Sequence, residues 1–139
     1  MGLVIYHASP IQNLKELSPD NKSTHDKQNL KKVYASNDIA YASMFAQNWT
    51  EPYITAGRIN NKPWTLIFYS KRYINLLNKK CSMYYVKNFG FRKIKNINTP
   101  EYLKYNVVNV FEEIKFDSWK KMLKYYGVKI IIKNKIKKN

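Results

Sequence analysis

An α+β domain, built on two small sheets or one strongly bent sheet with flanking helices, is the architecture this chain predicts. Three observations carry it. Short apolar and aromatic runs of strand length recur from residue 3 to residue 133. Helical patterns fall beside and between them without the regular βαβα alternation of a doubly wound sheet. The 139 residues, 45% hydrophobic and 15% aromatic, suffice for one sizeable core and not for two. Residues 1–133 are therefore expected to form a single domain and residues 134–139 a basic tail.

The elements follow in order. Residues 3–7 read as a short apolar strand that ends at His7, one of only two histidines. Residues 8–31 are polar, contain Pro10 and Pro19, and sustain no period, so they read as a long loop with at most one helical turn around Asn13–Leu17. Lys32–Ala35 is a second strand. Ser36 or Asn37 can then cap a helix that runs to about Asn48, with Ile39, Ala40, Phe45 and Trp49 able to face a core, and Pro52 stops it. The run "WTLIFY", 64–69, suits a buried strand, and Lys71–Asn78 a short helix. "CSMYYVKN", 81–88, is a further strand, followed by a turn through Gly90 into another. Residues 105–116 are the longest β candidate. Asp117 can cap a helix whose Trp119, Met122, Leu123 and Tyr126 share one face and which Gly127 ends, and "VKIIIK" is the last strand.

Several function classes are excluded by composition. Four glycines, at 2, 57, 90 and 127, cannot make a phosphate-cradling loop, and HExxH, CxxC and GxSxG are absent. Cys81 is the sole cysteine, so no internal disulfide and no thiolate metal cluster is possible, and it reads as a buried structural thiol. No metal site is expected. No run reaches the roughly 20 apolar residues of a membrane span, and no basic segment precedes a long apolar one at the N-terminus, which points to the cytoplasm. The net charge of +16 comes from 25 Lys and Arg against nine Asp and Glu. It favours an anionic partner, although a Lys-rich, Asn-rich and Tyr-rich composition also follows from AT-rich coding. The dense run Lys133, Lys135, Lys137 and Lys138 reads as a solvated end.

Two motifs are distinctive: "YHAS" at Tyr6–Ser9, and "VYASNDIAYASMFA" at Val33–Ala46. Further on, "TPEYLKYNVV" holds Glu101. In this order His7, Tyr34 and Glu101 resemble the His-Tyr-Glu signature of the ADP-ribosyltransferase fold, the class of diphtheria-type toxins and poly-ADP-ribose polymerases, and most nearly its small bacterial and phage members. Ala8 stands where a glycine is common after the histidine. The resemblance implies a split or bent β-sandwich with NAD in a cleft between the two sheets. His7 is then expected at the adenosine ribose, Ser9 on the nicotinamide side, Tyr34 stacked on the nicotinamide ring, and Ser36 in the same NAD-binding set. Glu101 is expected to accept a hydrogen bond from the nicotinamide ribose and to stabilise the cation formed as nicotinamide leaves; Glu112 and Glu113 compete for this role.

The implied function is mono-ADP-ribosyl transfer from NAD to a protein or nucleic-acid acceptor, in a toxin, effector or phage setting, with residues 8–31 and 50–63 as acceptor-choosing loops. Two alternatives stay open. One is an RNA 2′-phosphotransferase-like enzyme of the same fold, for which the Arg residues expected around the histidine are missing. The other is a basic nucleic-acid-binding module without catalysis, supported by the interleaved Lys and aromatic residues of 69–93. Each residue also has a plainer reading: His7 as a satisfied structural histidine, Tyr34 as one core tyrosine among twelve, Glu101 as a first-turn acid of a helix.

Overall fold

The structure is a computed structural model and describes residues 3–19, 32–58, 63–94 and 99–133. Ten strands and two α-helices are defined among them: β1 (Val4–Ser9), β2 (Glu16–Leu17), β3 (Val33–Ser36), α1 (Ile39–Ser43), β4 (Ile54–Gly57), β5 (Thr65–Phe68), β6 (Cys81–Lys87), β7 (Arg92–Lys93), β8 (Glu101–Lys104), β9 (Val108–Phe116), α2 (Trp119–Tyr125) and β10 (Lys129–Ile132). A 3-10 helix covers Lys71–Asn78. The architecture is mixed α+β with two sheets and flanking helices. One sheet has seven strands in the order β2-β9-β6-β1-β3-β8-β7, and the other three, β10-β5-β4.

Alternation along β1 explains how the larger sheet is clothed. Tyr6 and Ala8 point to the face that packs on the smaller sheet, on α1 and on α2, where Met44, Leu66, Phe68, Met83 and Trp119 are buried. Ile5 points the other way, into a second cluster with Leu17, Val33, Tyr84, Val86 and Val108. Residues 10–14 fold over that second face. The Tyr84 hydroxyl donates to the Ile11 carbonyl at 2.6 Å and accepts the Leu14 N–H at 3.1 Å, while Gln12 Nε2 donates to the Cys81 carbonyl at 2.9 Å.

Helix α1 is shorter than the expected span to Asn48, and its cap is Asp38 rather than Ser36 or Asn37. Ser36 instead turns the chain into the cap, its Oγ accepting the Asp38 N–H at 3.0 Å. Two indoles explain the early stop. Trp119 Nε1 donates to the Ser43 carbonyl at 2.8 Å and Trp49 Nε1 to the Met44 carbonyl at 2.7 Å, so the last carbonyls of the helix are satisfied from outside it. At α2 the cap is Ser118 and not Asp117, with Trp119, Met122 and Leu123 buried as the periodicity required. Gly127 follows at φ +80°, a left-handed position suited to glycine.

Other expectations differ in detail. Asn13–Leu17 holds the two-residue strand β2 in place of a helical turn, and β4 and β8 lie where no separate strand was read. Phe45 is 38% exposed, whereas Tyr41, Ala42 and Met44 are buried. Cys81 is buried and its thiol is pushed up to about 12 by desolvation, as suits a structural residue. The basic tail 134–139, with Lys135, Lys137 and Lys138, lies outside the described residues, as do 20–31 and 59–62 of the two expected acceptor loops.

Candidate functional site

Among the described residues a cleft of about 760 Å³ opens to solvent. Tyr6 of β1, residues 37–39 at the mouth of α1, Arg58 after β4, Trp64 before β5, Lys93 of β7, and Thr99 with Pro100 before β8 line it. Both sheets contribute.

Asp38 organises one wall. Its Oδ1 accepts the Tyr41 N–H at 3.1 Å as the helix cap, and its Oδ2 accepts Trp64 Nε1 at 2.8 Å. Arg58 lies 3.9 Å from the same Oδ2 and stacks its guanidinium 4.8 Å from the centre of the Trp64 ring. Tyr41 packs against Trp64 at 4.9 Å. The Tyr41 hydroxyl then donates to Glu101 Oε2 at 2.7 Å, and Thr99 Oγ1 donates to that same oxygen at 2.8 Å. Both bonds go to one carboxylate oxygen, so Oε1 takes part in neither. Burial, and then the bond to Glu101, raise the Tyr41 hydroxyl far above the usual tyrosine range, which keeps it a donor at every ordinary pH.

The sequence-predicted residues divide between the two faces of the larger sheet. Ser36 stands opposite both Tyr6 and Glu101 in the register, and Tyr34 opposite Leu103, which puts Tyr34, Ser36 and Glu101 on the face of the cleft. His7 and Ser9 alternate to the other face. Strands β1 and β3 pair only at Tyr6↔Ser36. Beyond that point the His7 ring bridges them, its Nδ1 donating to the Tyr34 carbonyl at 2.6 Å. Desolvation lowers the His7 pKa and outweighs the opposing backbone bond, so the ring is neutral near pH 7, with Nε2 as an acceptor. Ser9 is buried, and its Oγ accepts the Ile11 N–H at 3.0 Å.

Glu113 shares a register row with His7 and Tyr84. Desolvation would raise its carboxyl, but hydrogen bonds from Ser82 at 2.6 Å and from the Asn13 N–H at 2.9 Å, with help from Tyr84 and Lys115, hold it below the usual range. Residues 10–14 roof that row, and Glu113 serves to hold them. Glu112 is exposed on β9. Of the three competing acids, Glu101 is the one joined to the cleft wall, through Thr99, although its own side chain is not among the lining residues.

Comparison with protein-family models, with curated proteins and with solved structures returns no match. Among the described residues, no three of His, Cys, Asp and Glu gather as metal ligands, and no helix is long and apolar enough to cross a membrane. Asp38, Tyr41, Arg58, Trp64 and Thr99 were not singled out from sequence. Asp38 and Tyr41 sit inside the quoted second motif, at the start of a helix pattern, where a cap and a core face are both readable. Arg58 and Trp64 had no such signal.

Proposed function

We propose that the chain is an NAD-dependent mono-ADP-ribosyltransferase of the ADP-ribosyltransferase fold, acting in the cleft beside Glu101. The observation that supports it best is the carboxylate itself, held through one oxygen by Tyr41 and by Thr99, a residue of the wall of a cleft that also offers the Tyr6 ring and two cations. Arg58 and Lys93 suit the two phosphates of a dinucleotide, and Tyr6 offers a ring to one of its bases, while Trp64, buried against Tyr41 and under the Arg58 guanidinium, backs the wall. Asp38 stays a negative charge in the wall, offset in part by Arg58 3.9 Å away.

Chemistry follows from the position of Glu101. The glycosidic bond between the ribose anomeric carbon and the pyridinium nitrogen breaks, and its electron pair leaves with nicotinamide, which becomes neutral. Positive charge develops at that carbon, and a fixed carboxylate stabilises it. The acceptor's nucleophilic atom then forms the new bond and gives up its proton. Tyr41 and Thr99 orient Glu101, while His7 holds β1 against β3 under the cleft and positions Tyr34.

The test is nicotinamide release from NAD, with thermal unfolding in millimolar NAD as the measure of binding. Wild type is expected to melt higher with NAD and to release nicotinamide. Glu101→Gln is expected to keep the melting shift and lose about 10²–10³ in rate, the usual cost of removing one charge-stabilising group. Absence of both the shift and the release in wild type would sink the reading.

A further inference from the structure

We infer that the acceptor side of this site is a surface for single-stranded nucleic acid, formed by an aromatic tract that leaves the cleft at Tyr6 and crosses the larger sheet to Phe111. The acceptor role rests on the transferase reading; the binding surface does not. Tyr6 lines the cleft and meets Tyr85 edge-to-face, with ring centroids 5.2 Å apart. Tyr85 meets Phe111 in the same manner at 6.3 Å, and Lys87 places its ammonium 4.7 Å from the Phe111 centroid. The register Tyr6↔Tyr85 and Val4↔Lys87 keeps Tyr6, Tyr85 and Lys87 on one face, where Tyr6 and Tyr85 are half-buried at the margin of the main core and Lys87 and Phe111 are the exposed members of the tract.

The position of Phe111 comes from an irregularity in the sheet. Tyr85 pairs with Glu112 and Val86 with Val110, so Phe111 is the extra residue of a bulge. It is 47% exposed, although it is large and apolar, and it stands against Tyr85 instead of entering the second core. Rings in sequence with a cation at the end match what an unpaired strand presents, namely base faces and phosphates. A net charge of +16 argues against a second copy as occupant, and an acidic peptide would call for cations rather than a run of rings. Glu112, opposite Tyr85 in the register, is the one acid paired into the tract.

Fluorescence anisotropy of a labelled mixed-sequence 12-nucleotide DNA, its RNA counterpart and the matching duplex tests this directly. Both single strands are expected to bind wild type more tightly than the duplex. Phe111→Ala is expected to weaken single-strand binding about five-fold or more, the loss of one stacked base. Lys87→Ala is expected to lower the salt slope by about 0.7, and Glu112→Gln to tighten binding. Lys71→Ala, on the 3-10 helix, separates a built tract from diffuse charge: equal losses from Lys71→Ala and Lys87→Ala overturn the inference. So does a Phe111→Ala variant that binds like wild type, or a duplex bound as well as a single strand. Nicotinamide release is measured on the same proteins. Tract-dependent binding without any NAD turnover removes the acceptor role and the transferase reading while the surface stands; turnover with no oligonucleotide binding does the reverse.

Discussion

His7 answers, at the scale of one residue, why a chain with two histidines puts one at the end of an apolar strand. Its partner is the Tyr34 carbonyl, a backbone atom, and no reading of side chains along the sequence exposes such a bond. Of the His-Tyr-Glu set that the resemblance picked out, His7 and Tyr34 meet through a main-chain contact with their side chains on opposite faces of the pleat, whereas Glu101 is bonded to Tyr41 and Thr99. A consequence in pH follows. The folded pKa lies below the ordinary 6.5, so the unfolded chain binds more protons between the folded value and 6.5. The contribution of His7 to stability is full above about 6.5 and is lost as the pH falls below it. Glu113, also depressed, contributes in the same direction but only below about 4.5, its ordinary value. Thermal midpoints are therefore expected to decline from pH 7 to pH 5, and His7→Gln is expected to flatten that decline without altering the fall below pH 4.5. An equal decline in both proteins would show that His7 is not the group responsible.

At the scale of elements, Asp38 joins the two sheets. One oxygen caps α1 and the other holds Trp64 at the entrance to β5, so a single side chain sets the wall of the cleft. Asp38→Ala removes a cap worth about 1 kcal/mol and leaves the Trp64 N–H without its acceptor, for a total near 2 kcal/mol. With a urea slope of about 2 kcal/mol/M, the unfolding midpoint is expected to drop by about 1 M. Asp38→Asn keeps an acceptor oxygen for one of the two bonds and should lose less. A loss equal to that of alanine would mean that charge, not capping, dominates. The helix itself was legible in the sequence, whereas its end was not, since the indoles of Trp49 and Trp119 that stop it come from outside. Strands with a buried face, such as β1, β6 and β9, declared themselves by pattern. β8 did not: its four residues are all half-buried and show no alternation, so Glu101 could be read equally as a helix-leading acid.

The cleft is a property of the whole molecule, and that is why so little of it was readable in advance. Asp38 and Tyr41 lie in a motif, but Arg58 and Trp64 arrive from the smaller sheet, and only the packing of one sheet on the other brings them beside Thr99 and Glu101. Net charge acts at the same scale. With +16 on 139 residues, repulsion among cations is spread over the entire surface, and nine carboxylates cannot neutralise it. The ion pair of Lys121 with Asp117 is 3.6 Å long and largely in solvent, so it contributes little, and the Arg58 contact with Asp38 is longer still. Added salt shortens the Debye length from about 10 Å at 0.1 M to about 3 Å at 1 M and relieves the repulsion more than it weakens these pairs. The thermal midpoint of the free protein is expected to rise across that range. On the proposed NAD reading, the extra stabilisation from NAD is expected to shrink over the same range, because Arg58 and Lys93 would then face screened phosphates. A midpoint that falls with salt would mean that ion pairs outweigh self-repulsion. An NAD shift indifferent to salt would mean that the two cations of the cleft do not meet the phosphates, and that the dinucleotide is held by its rings alone.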